Sequence, residues 1–276
     1  MTIMPKSTRV IIHVVIAFFL IMTLLPLVWI LLMSVKDTQD VLTSAAFSLP
    51  KTWHFDNYII AWVKGHVGEY FFNSIFVTVI STLLVIIFST LMGYAFSRLR
   101  WKYRDTIFII ILLGLMIPVH ATLIPLFVIL KKMELLNSYA SLILPYVASG
   151  LPMAVYIFRN FMLGIPNEME EAACLDGCTI FQSFIKIIVP IIKPAVITVI
   201  ILNFMHFWNE YVLASVIIQN QAFNTLPIGL KAFQSEFTVD WGAMCAAIVA
   251  SSIPVLIIYL LFNDVIEKSV VAGALK

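Results

Sequence analysis

Ile165-Pro166-Asn167-Glu168-Met169-Glu170-Glu171-Ala172-Ala173-Cys174-Leu175-Asp176-Gly177 is a water-loving stretch in an oily chain, and it runs on to Val189-Pro190. Four of the fifteen carboxylates fall within the nine residues from Glu168 to Asp176. Long apolar segments flank it on both sides. Hydrophobic residues make up 62% of the chain and charged residues 12%, against about 25% charged in a soluble domain. Mean hydropathy is +1.02. This composition excludes an ordinary soluble globule, and a net charge of +2 leaves no electrostatic footprint for nucleic acid.

A helix that crosses the hydrocarbon needs about 20 apolar residues. Six segments qualify, at 10–35, 70–96, 106–130, 138–158, 191–218 and 242–262. None alternates in the manner of an outer-membrane barrel strand. Helices remain, because lipid offers the backbone no hydrogen-bond partners. The first apolar run is longer than a signal-peptide core and lacks a small-residue cleavage site, so it reads as a retained helix. The expected fold is all-α: a polytopic membrane protein of six transmembrane helices, one permease domain over 1–276, with a polar loop at 159–190 and no separate soluble domain.

Lysine and arginine set the orientation. With the N-terminus inside, the inner segments hold Lys6, Arg9, Arg98, Arg100, Lys102, Arg104, Arg159, Lys186, Lys193, Lys268 and Lys276, which includes all five arginines. The outer segments hold Lys36, Lys51, Lys64, Lys131, Lys132 and Lys231. Both termini and the acidic stretch are therefore expected in the cytoplasm. The long outer loop at 36–69, with Trp53, Phe55 and Trp62, reads as an aromatic cap on the membrane surface. Prolines at 118, 125, 145, 152, 194 and 254 lie inside the third to sixth spans, where each removes a helix hydrogen bond.

The acidic stretch itself has helix punctuation. Pro166 is a stop, Asn167 is suited to cap the next helix, and Glu170 stands where a capping box places an acid. Glu168, Glu170 and Glu171 crowd the positive end of the dipole. Gly177 suits a left-handed helix end. Thr179 with Gln182 caps a second helix, which Pro190 ends. Ala172 and Ala173 let another surface approach the backbone. A solvated connector is the competing reading.

The spacing Glu171-Ala172-Ala173, three residues, Gly177, nine residues, Ile187, one residue, Val189-Pro190 resembles the EAA loop of bacterial ABC importer permeases, with Val189 where that family usually has Leu. The chain is most similar to the carbohydrate-importer branch, which includes the membrane subunits of the maltose transporter. Trp208-Asn209-Glu210-Tyr211, Thr225-Leu226-Pro227-Ile228-Gly229-Leu230 and Val271-Ala272-Gly273-Ala274-Leu275-Lys276 carry the same resemblance. The resemblance implies a type I importer permease in the bacterial cytoplasmic membrane. Its partners would be a second homologous permease, two ATPase subunits and an extracellular solute-binding protein, and its cargo a sugar, an oligosaccharide on the branch's pattern. It also implies that Glu171, Ala172, Ala173, Asp176, Gly177 and Pro190 form the ATPase-coupling segment. The tail from Asn263 to Lys276 would be a second contact. The chain has no G-x-x-x-x-G-K-[ST] phosphate loop, so ATP and Mg would sit on the partner ATPase, and this chain would bind no cofactor.

Polar residues in apolar spans are costly and face a bundle interior or a water path. The fifth span carries Asn203, His206, Asn209 and Glu210, and the spacing of three and four puts Asn203, His206 and Glu210 on one helix face. Two readings fit: a sugar path, or interhelical hydrogen bonds that fix packing. His120 and Thr122 are a weaker pair in the third span, and Asn73 and Ser74 read as interfacial. Cys174, Cys178 and Cys245 lack the partners of a zinc site and read as free thiols. No H-E-x-x-H or G-x-S-x-G motif occurs, so no intramembrane enzyme and no metal site are expected. The runner-up function is a secondary transporter with Glu210 and His206 as a proton relay; a membrane scaffold is the third. A capped acidic helix with small residues serves neither.

Overall fold

The computed structural model describes residues 6–233 and 239–274, with side chains over 8–231, 233 and 239–263. We label ten helices: α1 (Lys6–Met33), α2 (Val67–Ser97), α3 (Arg104–Leu113), α4 (Val119–Lys132), α5 (Ala140–Leu163), α6 (Glu168–Leu175), α7 (Ile180–Ile191), α8 (Lys193–Trp208), α9 (Val212–Ile217) and α10 (Trp241–Ala274). No strand forms among the described residues, and the all-α expectation holds.

Among the described residues, four helices are long and apolar enough to cross a membrane: Thr8–Met33, Val67–Ser97, Ala140–Leu163 and Trp241–Asn263. The third and fifth predicted spans are broken. Residues 104–116 and 119–132 meet at 102°, and 180–191 and 193–208 meet at 71°. The number of spans is six only if each bent pair is one span.

The breaks have local causes. Proline disfavours the helical region for the residue before it, and Ile117 is extended, at φ −81°, ψ 115°. Pro190, expected to end its helix, does not. It has no N–H for the Lys186 carbonyl, and the turn widens instead: Val189 N–H bonds Phe184 O, five residues back. The helix ends at Ile191, where Pro194 in turn leaves the Pro190 carbonyl without a donor. The fifth span breaks again after Trp208, and a separate short helix, α9, begins at Val212.

The chain divides into two compact units. The first comprises residues 1–68 and 229–253. Its loop at 36–69 carries a buried polar core beneath its exposed Trp53 and Phe55. Lys36 is fully buried and donates from Nζ to Ser44 Oγ (2.9 Å) and Ser48 Oγ (3.0 Å). Asn57 donates to the backbone oxygens of Ser34 and Lys36. The apolar window of α1 buries nothing within the chain.

The second unit, residues 69–228 and 254–276, holds the main core, with Leu142, Tyr146, Phe158, Met162, Ile188 and Ile217 among its most buried members. Asn73 and Ser74, expected at an interface, are 8% and 2% exposed. Asn73 Nδ2 donates to the carbonyls of Ala222 and Asn224, its Oδ1 accepts Tyr139 Oη–H, and Ser74 Oγ accepts Leu226 N–H. They pin the segment at 222–226 to α2, because buried polar groups need partners.

Candidate functional site

Two places in the second unit carry the polar residues singled out above. The first is α6. Its C-terminal end forms as expected: Gly177 sits at φ +86°, Cys178 N–H bonds Ala173 O at 2.9 Å, and Gly177 N–H bonds Cys174 O at 3.0 Å. That is a Schellman end, and it needs a residue without a β-carbon penalty. Thr179 and Gln182 close a reciprocal capping box on α7, also as expected.

The N-terminal end forms differently. Asn167 is helical at φ −68°, ψ −27°, and its side chain makes no cap bond. Its Oδ1 accepts Arg98 Nη1 instead. Glu170 makes no capping box. One of its oxygens lies 2.7 Å from Arg98 Nε, a contact that is an ion pair rather than an aligned hydrogen bond. The other accepts Tyr94 Oη–H at 2.8 Å. Arg98 Nη2 also donates to Ile165 O at 2.7 Å. A guanidinium fork outcompetes the local caps because charge-assisted, multidentate bonds are the stronger ones. In the sequence Arg98 marks only topology, because its partners Ile165, Asn167 and Glu170 lie far along the chain and leave no local signal.

With Glu170 turned inward, the outward face of α6 presents Glu168, Met169, Glu171, Ala172, Leu175 and Asp176, and Leu175 is 90% exposed. The two alanines separate: Ala172 is exposed, while Ala173 is buried within the chain. Pro190 lies exposed on α7. Ile180 and Phe181, also exposed, extend the apolar surface. Of the tail at 263–276, residues 275 and 276 and all side chains after 263 lie outside the described residues.

The second place is a cavity of about 550 Å³, whose polar lining is His120, Thr122, Tyr146, Ser149, His206 and Glu210. The break at Pro118 places His120 and Thr122 on its wall, promoting the weaker pair. Of the four fifth-span candidates, the structure brings only His206 and Glu210 to the cavity. Asn203 is 6% exposed and spends its Nδ2 on the Val199 carbonyl. Asn209 is exposed and bonds the Met205 carbonyl. The expected face splits within α8, where Asn203 packs against Gly150 while His206 reaches the cavity, and α8 itself ends at Trp208, before Glu210.

Glu210 is held by three donors. Leu213 N–H (2.7 Å) and Ala214 N–H (3.0 Å), two of the open amides of α9, reach its two oxygens, and Tyr146 Oη–H (2.8 Å) joins the second. The Tyr146 ring stacks on Phe207 with centroids 5.0 Å apart. Glu210 thus caps α9 and ties it to α5. No cluster of three or more His, Cys, Asp or Glu able to hold a metal occurs among the described residues.

Residues 85–272 match the family described as the binding-protein-dependent transport system inner membrane component. The chain is 34% identical over 258 residues to the probable ABC transporter permease protein YurM of Bacillus subtilis, covering 94% of this chain and 85% of that one. It is 34% identical to the diacetylchitobiose uptake system permease protein NgcG of Streptomyces coelicolor, covering 96% and 88%. A crystal structure of a bacterial ABC transporter involved in the import of the acidic polysaccharide alginate contains a similar chain: TM-score 0.84, 25% identity, 96% of this chain and 99% of that one. By these matches the chain belongs to the inner membrane components of binding-protein-dependent transport systems, and it is a transport permease subunit, not an enzyme.

Proposed function

We propose that this chain is one transmembrane subunit of an ATP-driven oligosaccharide importer in the bacterial cytoplasmic membrane. It forms half of the translocation pathway and couples through α6 to a separate ATPase that holds ATP and Mg. The observation that carries the reading is the outward face of α6, where Leu175, the most exposed large apolar side chain among the described residues, sits among Glu168, Glu171 and Asp176. An apolar anchor in a ring of charge suits a protein groove. The unburied face of α1 suits lipid or a second, homologous permease. An extracellular binding protein would deliver the sugar, as the family's description implies.

The cavity supports the saccharide class. Hydroxyls, imidazoles and one carboxylate offer donors and acceptors beside an aromatic ring, the mix that a sugar's hydroxyls and C–H faces require. Each Glu210 oxygen has two acceptor sites, so three donors leave one for a sugar hydroxyl. A carboxylate on the wall favours a neutral sugar over an anionic one. Alternating access would follow when ATPase closure moves α6 and, with it, the cavity walls.

Uptake of radiolabelled chitobiose, arabino- and malto-oligosaccharides into vesicles holding the assembled complex tests the reading. At least one should enter with ATP and continue when the proton gradient is dissipated. Uptake that stops with the gradient while ATP is maintained would overturn it. Leu175→Asp should insert normally and lose the ATPase on copurification; full retention would count against docking through α6.

A further inference from the structure

Arg98 has no part in any docking face: its side chain is 8% exposed and turned into the chain. It follows the last residue of α2 and grips the segment leading into α6 at Ile165 O, Asn167 Oδ1 and Glu170. Tyr94, one turn back, holds the other Glu170 oxygen and packs its ring 4.9 Å from Phe184 of α7. The acidic helix is thus fastened to the end of α2 by groups that converge on one carboxylate.

From there the packing is stiff. A β-carbon on Gly93 of α2 would stand 2.7 Å from Phe158 Cβ of α5, closer than real contacts allow. Gly150 of α5 lies where three helices meet: its β-carbon would stand 3.1 Å from Val85 Cγ2 of α2 and 3.0 Å from Phe207 Cζ of α8, and would collide with Asn203 Oδ1. Phe207 in turn stacks on Tyr146, which holds Glu210 at the cavity. Close-packed interiors transmit displacement rather than absorb it.

We propose that Arg98 is a positioning residue that makes α6 and α2 one rigid body, so that displacement of α6 is carried through α5 and α8 to the Tyr146–Glu210 wall of the cavity. This rests on the reading of α6 as the ATPase-docking helix. The role differs from docking itself: without Arg98 the ATPase still binds and hydrolyses ATP, but the cavity no longer answers.

The test reads the cavity directly and needs no known sugar. With Cys174, Cys178 and Cys245 replaced by serine, Ser149→Cys reports on the cavity through its labelling rate with a water-soluble maleimide in the complex with the copurified ATPase. Trapping with ATP and vanadate should change that rate about tenfold, a usual size for coupling between sites. Adding Arg98→Lys keeps the charge and loses the fork; the ATPase should remain bound and active while the change on trapping falls below about twofold. Tyr94→Phe should give an intermediate loss, and it carries the test by itself if Arg98→Lys does not insert. A full labelling change in either variant, or loss of the ATPase from the Arg98→Lys complex, overturns the inference. If the unsubstituted chain captures no ATPase, the docking reading fails first, and this inference falls with it.

Discussion

Glu170 and Glu210 are the same residue type doing related work in opposite electrostatic settings. Each links elements distant in sequence: Glu170 meets Tyr94 across 76 positions, and Glu210 meets Tyr146 across 64. Glu170 is matched by a cation, Arg98. Glu210 has no ion-pair partner among the described residues and is matched by two backbone amides and a phenol. A carboxylate opposite a guanidinium at a loop can be fastened and stiff. One held by neutral donors beside a cavity keeps an acceptor site and can exchange a partner for a ligand.

The contrast orders four expected outcomes, each read by thermal or denaturant unfolding in detergent. Arg98→Ala should be the most damaging, at about 4 kcal/mol, because removing one member of a buried pair strands the other. Glu210→Ala should follow at about 3 kcal/mol, from an unpaired buried Tyr146 hydroxyl plus the lost α9 cap. If Glu210→Ala equals or exceeds Arg98→Ala, the distinction between charged and neutral matching breaks. Gly177→Ala should cost about 1–2 kcal/mol through the left-handed backbone alone, since a β-carbon there meets nothing within 4 Å. A larger loss would mean that the cap is packed rather than open. Tyr146→Phe should cost about 1 kcal/mol, because both amide donors still hold Glu210. A loss matching that of Glu210→Ala would make the phenol, not the cap, the main tie.

Much of the fold is legible along the chain. Length and hydropathy mark α1, α2, α5 and α10 directly. Pro118 and Pro194 were visible as helix breakers, yet the same residue type at 125, 145, 152 and 254 lies inside unbroken helices. Whether a proline bends a helix or is absorbed depends on what satisfies the freed carbonyl, which the proline's place in the sequence does not specify. Gly177 and the Thr179–Gln182 box were readable because their partners lie within four residues.

The candidate sites were half legible, for the same reason. Asn167 and Glu170 looked like local caps until Arg98, 69 residues away from Asn167, took both. Asn203, His206 and Glu210 shared a face only on a helix that continued past Trp208. His120 and Thr122 reached the cavity because a 102° bend carried them there.

Composition and local motifs alone specify a multi-helix membrane chain with an acidic helix closed by Gly177. Hydrophobic transfer and capping act over one helix turn or one span, and so are written locally. Tertiary structure decided which carboxylate faces outward, which is clamped and which lines the cavity. Those choices are settled by competition among hydrogen-bond partners that only the packed chain brings within reach.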